Sequence, residues 1–100
     1  MSILDDVLKE EYDRMSRISE NIVSEIESLP KGYLSEKKIN GHVYHYLQKR
    51  EDGKVKSRYI KEQDVESYRV LIRRRKELEE SLKNLEREKK KVERVVGKDV

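Results

Sequence analysis

The chain has no cysteine, tryptophan or phenylalanine, only one proline, and four glycines. Without cysteine there is no disulfide framework and no thiolate metal site. No stretch approaches the roughly 20 apolar residues that a membrane-spanning helix requires. Residues 1–8 are short, mixed and acidic, whereas a secretory leader has a basic start followed by an apolar run. The expectation is a cytoplasmic protein with no membrane contact.

Apolar residues are also scarce. Hydrophobic residues make up 34% of the 100 positions and charged residues 45%, on the polar side of ordinary globular chains. This is room for a single domain, residues 1–100, with a thin core, and a thin core favours self-association as a homodimer. The charged residues are mostly Glu, Lys and Arg, with apolar residues recurring among them at helical period, which points to long helices or coiled coil.

The net charge of +3 conceals an asymmetry. Residues 1–30 carry 3 basic and 8 acidic side chains, residues 31–61 carry 9 and 3, and residues 62–100 carry 12 and 10. Positive charge is therefore concentrated in the middle segment, and an acidic ligand is steered there.

Three segments follow from the change of period. The first helix is expected over residues 2–29. Ser2 is its N-cap, with Asp5 three residues on as in a capping box, and Asp5 and Asp6 suit the positive end of the helix dipole. Leu4, Leu8, Tyr12, Met15, Ile18, Ile22, Ile26 and Leu29 form one apolar stripe. Glu10–Arg14 and Asp13–Arg17 are spaced for i,i+4 pairing. Pro30 and Gly32 end the helix.

Residues 32–61 read as a β-meander, with strands over Tyr33–Ile39, His42–Arg50 and Lys54–Ile60. Asn40-Gly41 and Asp52-Gly53 are strong hairpin signals, because both residues of each turn tolerate positive φ. Two-residue loops would pair Ile39 with His42, Ser35 with Tyr46 and Tyr46 with Tyr59. One face then carries Tyr33, Ile39, Tyr44, Tyr46, Val55 and Tyr59. The other carries Lys38, His45, Lys49, Lys54, Lys56 and Arg58 around Leu34, Val43 and Leu47. A bulged second loop would instead swap the faces of the third strand.

The second helix is expected over residues 63–97, stopped by Gly97. Leu71, Leu78, Leu85 and Val92 recur at spacing seven. Tyr68, Leu82 and Val96 fall at the complementary position, which Arg75 and Lys89 also occupy. Val65, Tyr68, Leu71 and Ile72 make a broader face suited to packing on a sheet. The fold class is thus α+β: two long antiparallel helices, a coiled-coil-like stalk of roughly 40–50 Å at about 1.5 Å per residue, flanking a three-stranded antiparallel meander. The seam Leu71, Leu78, Leu82, Leu85 and Val92 joins the helices or a second copy.

The leading functional feature is the basic meander with its interleaved tyrosines. Lys38, Lys49, Arg50, Lys54, Lys56 and Arg58 are the candidate nucleic-acid contacts, since phosphates call for Lys and Arg on an element that fits a groove. Arg69, Arg73, Arg74 and Arg75 extend the charge onto the following helix. The competing readings are a solvated face guarded against edge pairing and a surface for an acidic protein. The tyrosines could stack on bases, but alternating along one sheet face they are expected in the core with hydroxyls at the rim. His42 and His45, three apart on a strand, point to opposite faces and make no metal pair. No phosphate-cradling glycine loop or nucleophile arrangement is present, so the chain is expected to be non-enzymatic and to use no cofactor.

The stretch Lys31-Gly32-Tyr33-Leu34-Ser35, through Tyr44-His45-Tyr46-Leu47-Gln48 to Gly53-Lys54-Val55-Lys56-Ser57-Arg58-Tyr59, is followed by a Glu/Lys/Leu-rich helix. Over roughly residues 30–90 it resembles a family of small uncharacterised bacterial and mobile-element proteins. That resemblance implies phage or mobile-element biology, including inhibition of a host nucleic-acid-processing defence complex. The three strands, the Asp-Gly-Lys turn and the helix also resemble the arm-type DNA-binding domain of tyrosine integrases. By that likeness Lys49, Arg50, Lys54, Lys56 and Arg58 would contact DNA, as an adaptor function. The helix–β–helix order is similar to that of a prefoldin subunit, in architecture alone. The expected partners are DNA or RNA, an acidic protein, and a second copy of the chain.

Overall fold

In a computed structural model, residues 3–97 are described; Ser2, the expected N-cap, lies outside them. The order is α1 (Ile3–Ser28), β1 (Tyr33–Ile39), β2 (His42–Glu51), β3 (Lys54–Ile60), a 3₁₀ turn (Glu62–Asp64) and α2 (Val65–Val96). This is the α+β arrangement expected, two long helices flanking a three-stranded antiparallel sheet of order β1-β2-β3. Its chain contacts fall into two compact units, Leu29–Lys76 and Met1–Ser28 with Glu77–Val100.

In the first of these, both hairpins close with two-residue loops. Asn40 and Asp52 take φ of 50° and 51°, and Gly41 and Gly53 follow at 83° and 76°. Positive φ at both loop positions matches the twist of the flanking strands. The register is therefore fixed as the turns predict, with Ile39 opposite His42, Ser35 opposite Tyr46 and Tyr46 opposite Tyr59. Gly32, at φ 116°, lets the chain pass so close to β2 that an added Cβ would sit 2.2 Å from the Gln48 carbonyl oxygen.

Leu47 and Ile60 project from one face of the sheet onto Val65 and Ile72 of α2, with Leu34 and Tyr68 packed against them. Burying each such aliphatic side chain contributes roughly 1.5–3 kcal/mol. The helix begins where the 3₁₀ turn ends, Asp64 N–H bonding the Lys61 carbonyl at 2.9 Å. Glu62, Asp64 and Glu66 stand at its positive end. Leu71, counted into the seam by its spacing of seven, is 40% exposed, and its neighbour Ile72 is buried instead. Arg75, a polar interruption of the seam, donates to the Leu29 carbonyl at 2.8 Å, just past Ser28, where carbonyls lack the partners a continuing helix would supply.

In the second unit, α1 and the part of α2 from Glu77 run antiparallel. Tyr12 Oη donates to Glu93 at 2.7 Å and Ser19 Oγ to Glu86 at 3.0 Å. Met15, Ser19 and Ile26 are the buried residues of α1, and Leu78 is buried on α2. Leu82, Leu85 and Val92 are half-buried along the same stripe. Leu4, assigned to the apolar stripe of α1, is 64% exposed. Arg14 bonds Glu11, three residues back, and not Glu10. Its bidentate hold keeps the Glu11 carboxyl below its usual range. Lys89, the other seam cation, sits 5.3 Å from the Tyr12 ring centroid and 3.7 Å from Glu86, so its charge is met on the stripe. α2 ends as expected: Gly97, at φ 90°, returns its N–H to the Glu93 carbonyl at 2.8 Å. No described helix is long and apolar enough to cross a membrane.

Candidate nucleic-acid interface

Alternation along the strands fixes which cations meet. On the face that receives α2, Lys49 lies opposite Lys56, Arg58 opposite Leu47 and Lys54 opposite Glu51. These four basic side chains are exposed and gather at the Asp52-Gly53 end of the β2–β3 hairpin, beyond the part of the face where Leu47 and Ile60 pack. Like charges directly opposite repel. Glu51 relieves the pair, lying 3.4 Å from Lys49 Nζ and 3.7 Å from Lys56 Nζ. The hydrogen bond and charge of Lys49, with the charge of Lys56, hold the Glu51 carboxyl below its usual range.

Two of the six candidates stand apart. Lys38 is on the same face but pairs with Val43 beside the Asn40-Gly41 turn. That is six residues along β2 from Lys49, roughly 20 Å. Arg50 alternates onto the opposite face, opposite Val55. Midway along the helix-side face, His45 Nε2 lies 3.2 Å from Glu36 and 3.3 Å from Arg69. Arg69 is also 3.7 Å from Glu36 and 3.8 Å from Glu66, so its charge is locally met. His42 is on the other face, as the strand period requires.

The tyrosines depart from expectation. They lie on the face away from the Leu47–Ile72 core, not within it. Tyr33 and Tyr59 are 54% and 52% exposed, and Tyr44 and Tyr46 are half-buried among their neighbours. Tyr44 and Tyr59 rings are 6.4 Å apart, Tyr46 and Tyr59 5.8 Å, with His42 6.4 Å beyond Tyr44. Lys37 Nζ stands 5.1 Å from the Tyr46 centroid, and Tyr33 Oη donates to Gln48 at 2.8 Å. β1 adds Ser35, Lys37 and Ile39 to this face, β2 adds Gln48 and Arg50, and β3 adds Val55 and Ser57. No residue in these sets is acidic. A tyrosine every second residue signals one shared face, but not whether that face is covered.

At the β1 edge a pocket of about 310 Å³ is lined by Tyr33, Leu34, Arg69, Ile72, Arg73 and Lys76. Elsewhere, cavities of about 580 and 570 Å³ are each lined by one helix, Glu79 to Lys90 of α2 and Val7 to Arg17 of α1. They are grooves along a helix surface and offer none of the enclosure a small-molecule site uses.

A family described as a domain of unknown function, DUF6788, matches residues 5–70. The chain belongs to the DUF6788 family. No curated protein and no solved structure matches it. The DUF6788 match takes in α1, the whole sheet and the opening of α2, so both sheet faces described above lie within it. Leu71, Leu78, Leu82, Leu85 and Val92 lie beyond the match.

Proposed function

We propose that this DUF6788 chain is a non-enzymatic nucleic-acid-binding adaptor that contacts phosphates through its sheet and works as a cytoplasmic homodimer. The observation that supports this reading is the cluster of Lys49, Lys54, Lys56 and Arg58 on a hairpin closed by a two-residue turn. Four cations against the carboxylates of Glu51 and the turn residue Asp52 leave a local excess of two positive charges. They are held on paired backbone and not spread along a flexible tail. Phosphates neutralised there release counterions, so binding weakens steeply with salt. Phosphate contacts carry no sequence information, so specificity is modest.

Replacing Lys54, Lys56 and Arg58 with Glu tests the reading, because all three are exposed and their loss leaves the Leu47–Ile72 core intact. In mobility-shift titrations at about 50 mM salt, the wild type binds mixed-sequence nucleic acid and the triple variant does not. Absence of wild-type binding, or equal binding by the variant, rejects the reading. In that case an acidic protein partner becomes the better account of the cluster, including a host complex engaged by a mobile-element inhibitor.

A further inference from the structure

We infer that the tyrosine face is a stacking platform for the bases of a single-stranded polynucleotide. This rests on the nucleic-acid reading above and names its preferred ligand. Three observations carry it. Tyr33 and Tyr59 keep half of their surface in water although they stand on a sheet that buries Leu47 and Ile60 from its other side. A sheet face with no hydrophobic cover usually alternates to polar residues, and exposed aromatic rings are what unpaired bases stack upon.

The spacing is the second observation. Tyr44, Tyr59 and Tyr46 follow one another at 6.4 and 5.8 Å, tilted by 54° and 65°. That is close to twice the roughly 3.4 Å rise per nucleotide of a duplex strand, so the rings suit bases that have been drawn apart. A duplex keeps its bases stacked inward and offers them no such contact.

Charge is the third. Lys37, its ammonium 5.1 Å over the Tyr46 ring, and Arg50 share the face with the tyrosines, and none of the paired strand residues on that face is acidic. Tyr33 also lines the β1-edge pocket, together with the cations Arg73 and Lys76 and the apolar Leu34 and Ile72. A strand whose bases lie on the tyrosines finds cations for its phosphates on both sides, without reaching the Lys49–Arg58 cluster on the opposite face.

The test uses the full chain with one mixed-sequence oligonucleotide, as DNA and as RNA, single-stranded and annealed to its complement. The chain lacks tryptophan, so its intrinsic emission comes from tyrosines, of which Tyr33, Tyr44, Tyr46 and Tyr59 share this face. Single strands quench that emission in the wild type and duplex does so far less. Tyr44→Leu with Tyr59→Leu weakens single-strand affinity by roughly 5- to 150-fold per ring lost, while Tyr44→Phe with Tyr59→Phe retains it. Quenching on the wild type keeps the inference testable if the leucine variant fails to fold. Unquenched emission with single strand bound, or leucine and wild-type chains binding alike, overturns the platform and leaves phosphate binding by the Lys49–Arg58 cluster standing. Binding of neither single strand nor duplex overturns both.

Discussion

Tyr12 and Glu93, 81 positions apart in sequence, meet in a hydrogen bond of 2.7 Å. With Ser19 and Glu86, 67 positions apart, it sets the register of α1 against the far part of α2. Each bond joins a residue and its partner whose numbers sum to the same value, as two antiparallel helices require. Apolar stripes slide past one another with little penalty, whereas a hydroxyl donating to one particular carboxylate does not.

The bond to Glu93 raises the Tyr12 pKa, with burial and then the charges of Glu93, Glu86 and Asp13 adding to it. A group with a folded pKa above its unfolded value contributes stability that is whole below the unfolded pKa, about 10 for tyrosine. That contribution is lost as pH rises through the raised folded value. Tyr12→Phe is therefore less stable than wild type at neutral pH, and the gap in denaturant midpoint narrows above pH about 10. A gap independent of pH rejects the assignment.

Gly32→Ala is the most damaging of the glycine substitutions. At φ 116°, with the Gln48 carbonyl 2.2 Å from the new Cβ, both backbone strain and collision apply. The collision adjoins the Tyr33–Gln48 pair that opens the β1–β2 ladder. A loss of about 3 kcal/mol or more is expected in chemical denaturation. Gly41→Ala and Gly53→Ala meet nothing within 4 Å and lose about 1–2 kcal/mol from conformation alone. Equal losses at all three positions would contradict the close approach.

The turns made the sheet legible in the sequence. Asn40-Gly41 and Asp52-Gly53 each admit the positive φ that fixes a two-residue loop, and every cross-strand pair follows from them. The covered face was not legible, because Leu34, Val43 and Leu47 on one side compete with six apolar or aromatic residues on the other. That choice is made by Val65 and Ile72, which lie beyond the strands. Leu71 and Ile72 show the same limit on α2. Counting by seven selects Leu71, but the buried stripe runs through Val65 and Ile72 and resumes at Leu78, one position out of phase. The helix meets the sheet in its first part and α1 in its second, and the two contacts need not share a phase. Ser19 is buried through its bond to Glu86, a partner that no local pattern announces.

Glu51→Gln separates charge from fold in the proposed phosphate cluster. The carboxylate lies near Lys49 and Lys56, which face each other across the strands. Removing its charge raises the local excess from two to three and restores the repulsion between the lysines. Nucleic-acid affinity should rise and the salt dependence should steepen, while thermal stability falls slightly. The stabilising effect of Glu51 is present above the usual carboxylate range and fades as pH falls through its depressed value, so the stability difference between the two proteins disappears in acid. Unchanged or weaker binding by Glu51→Gln would argue against phosphate contact at this hairpin.

Self-association is expected at the far end of the helix pair. Ile3, Leu4 and Val7 are 84%, 64% and 53% exposed at the start of α1, and Val95 is 68% exposed at the end of α2. The antiparallel register brings these two ends together, so the apolar residues cluster where charged ones fill most of the remaining helix surface. Leu78 is already buried within the chain, so this end is a better dimer contact than the middle of the seam. A second copy of the chain would cover this end by apolar contact alone, as an exposed cluster of this kind invites. Equilibrium sedimentation at roughly tens of micromolar, a range in which modest interfaces form, should give twice the 12.0 kDa chain mass. Val7→Glu should return it to the single mass without changing helix content, because Val7 is more than half exposed. A monomeric wild type would remove the homodimer from the proposal. A dimer that persists in Val7→Glu would move the contact elsewhere, with exposed Val70 and Leu71 on α2 the next surface to charge.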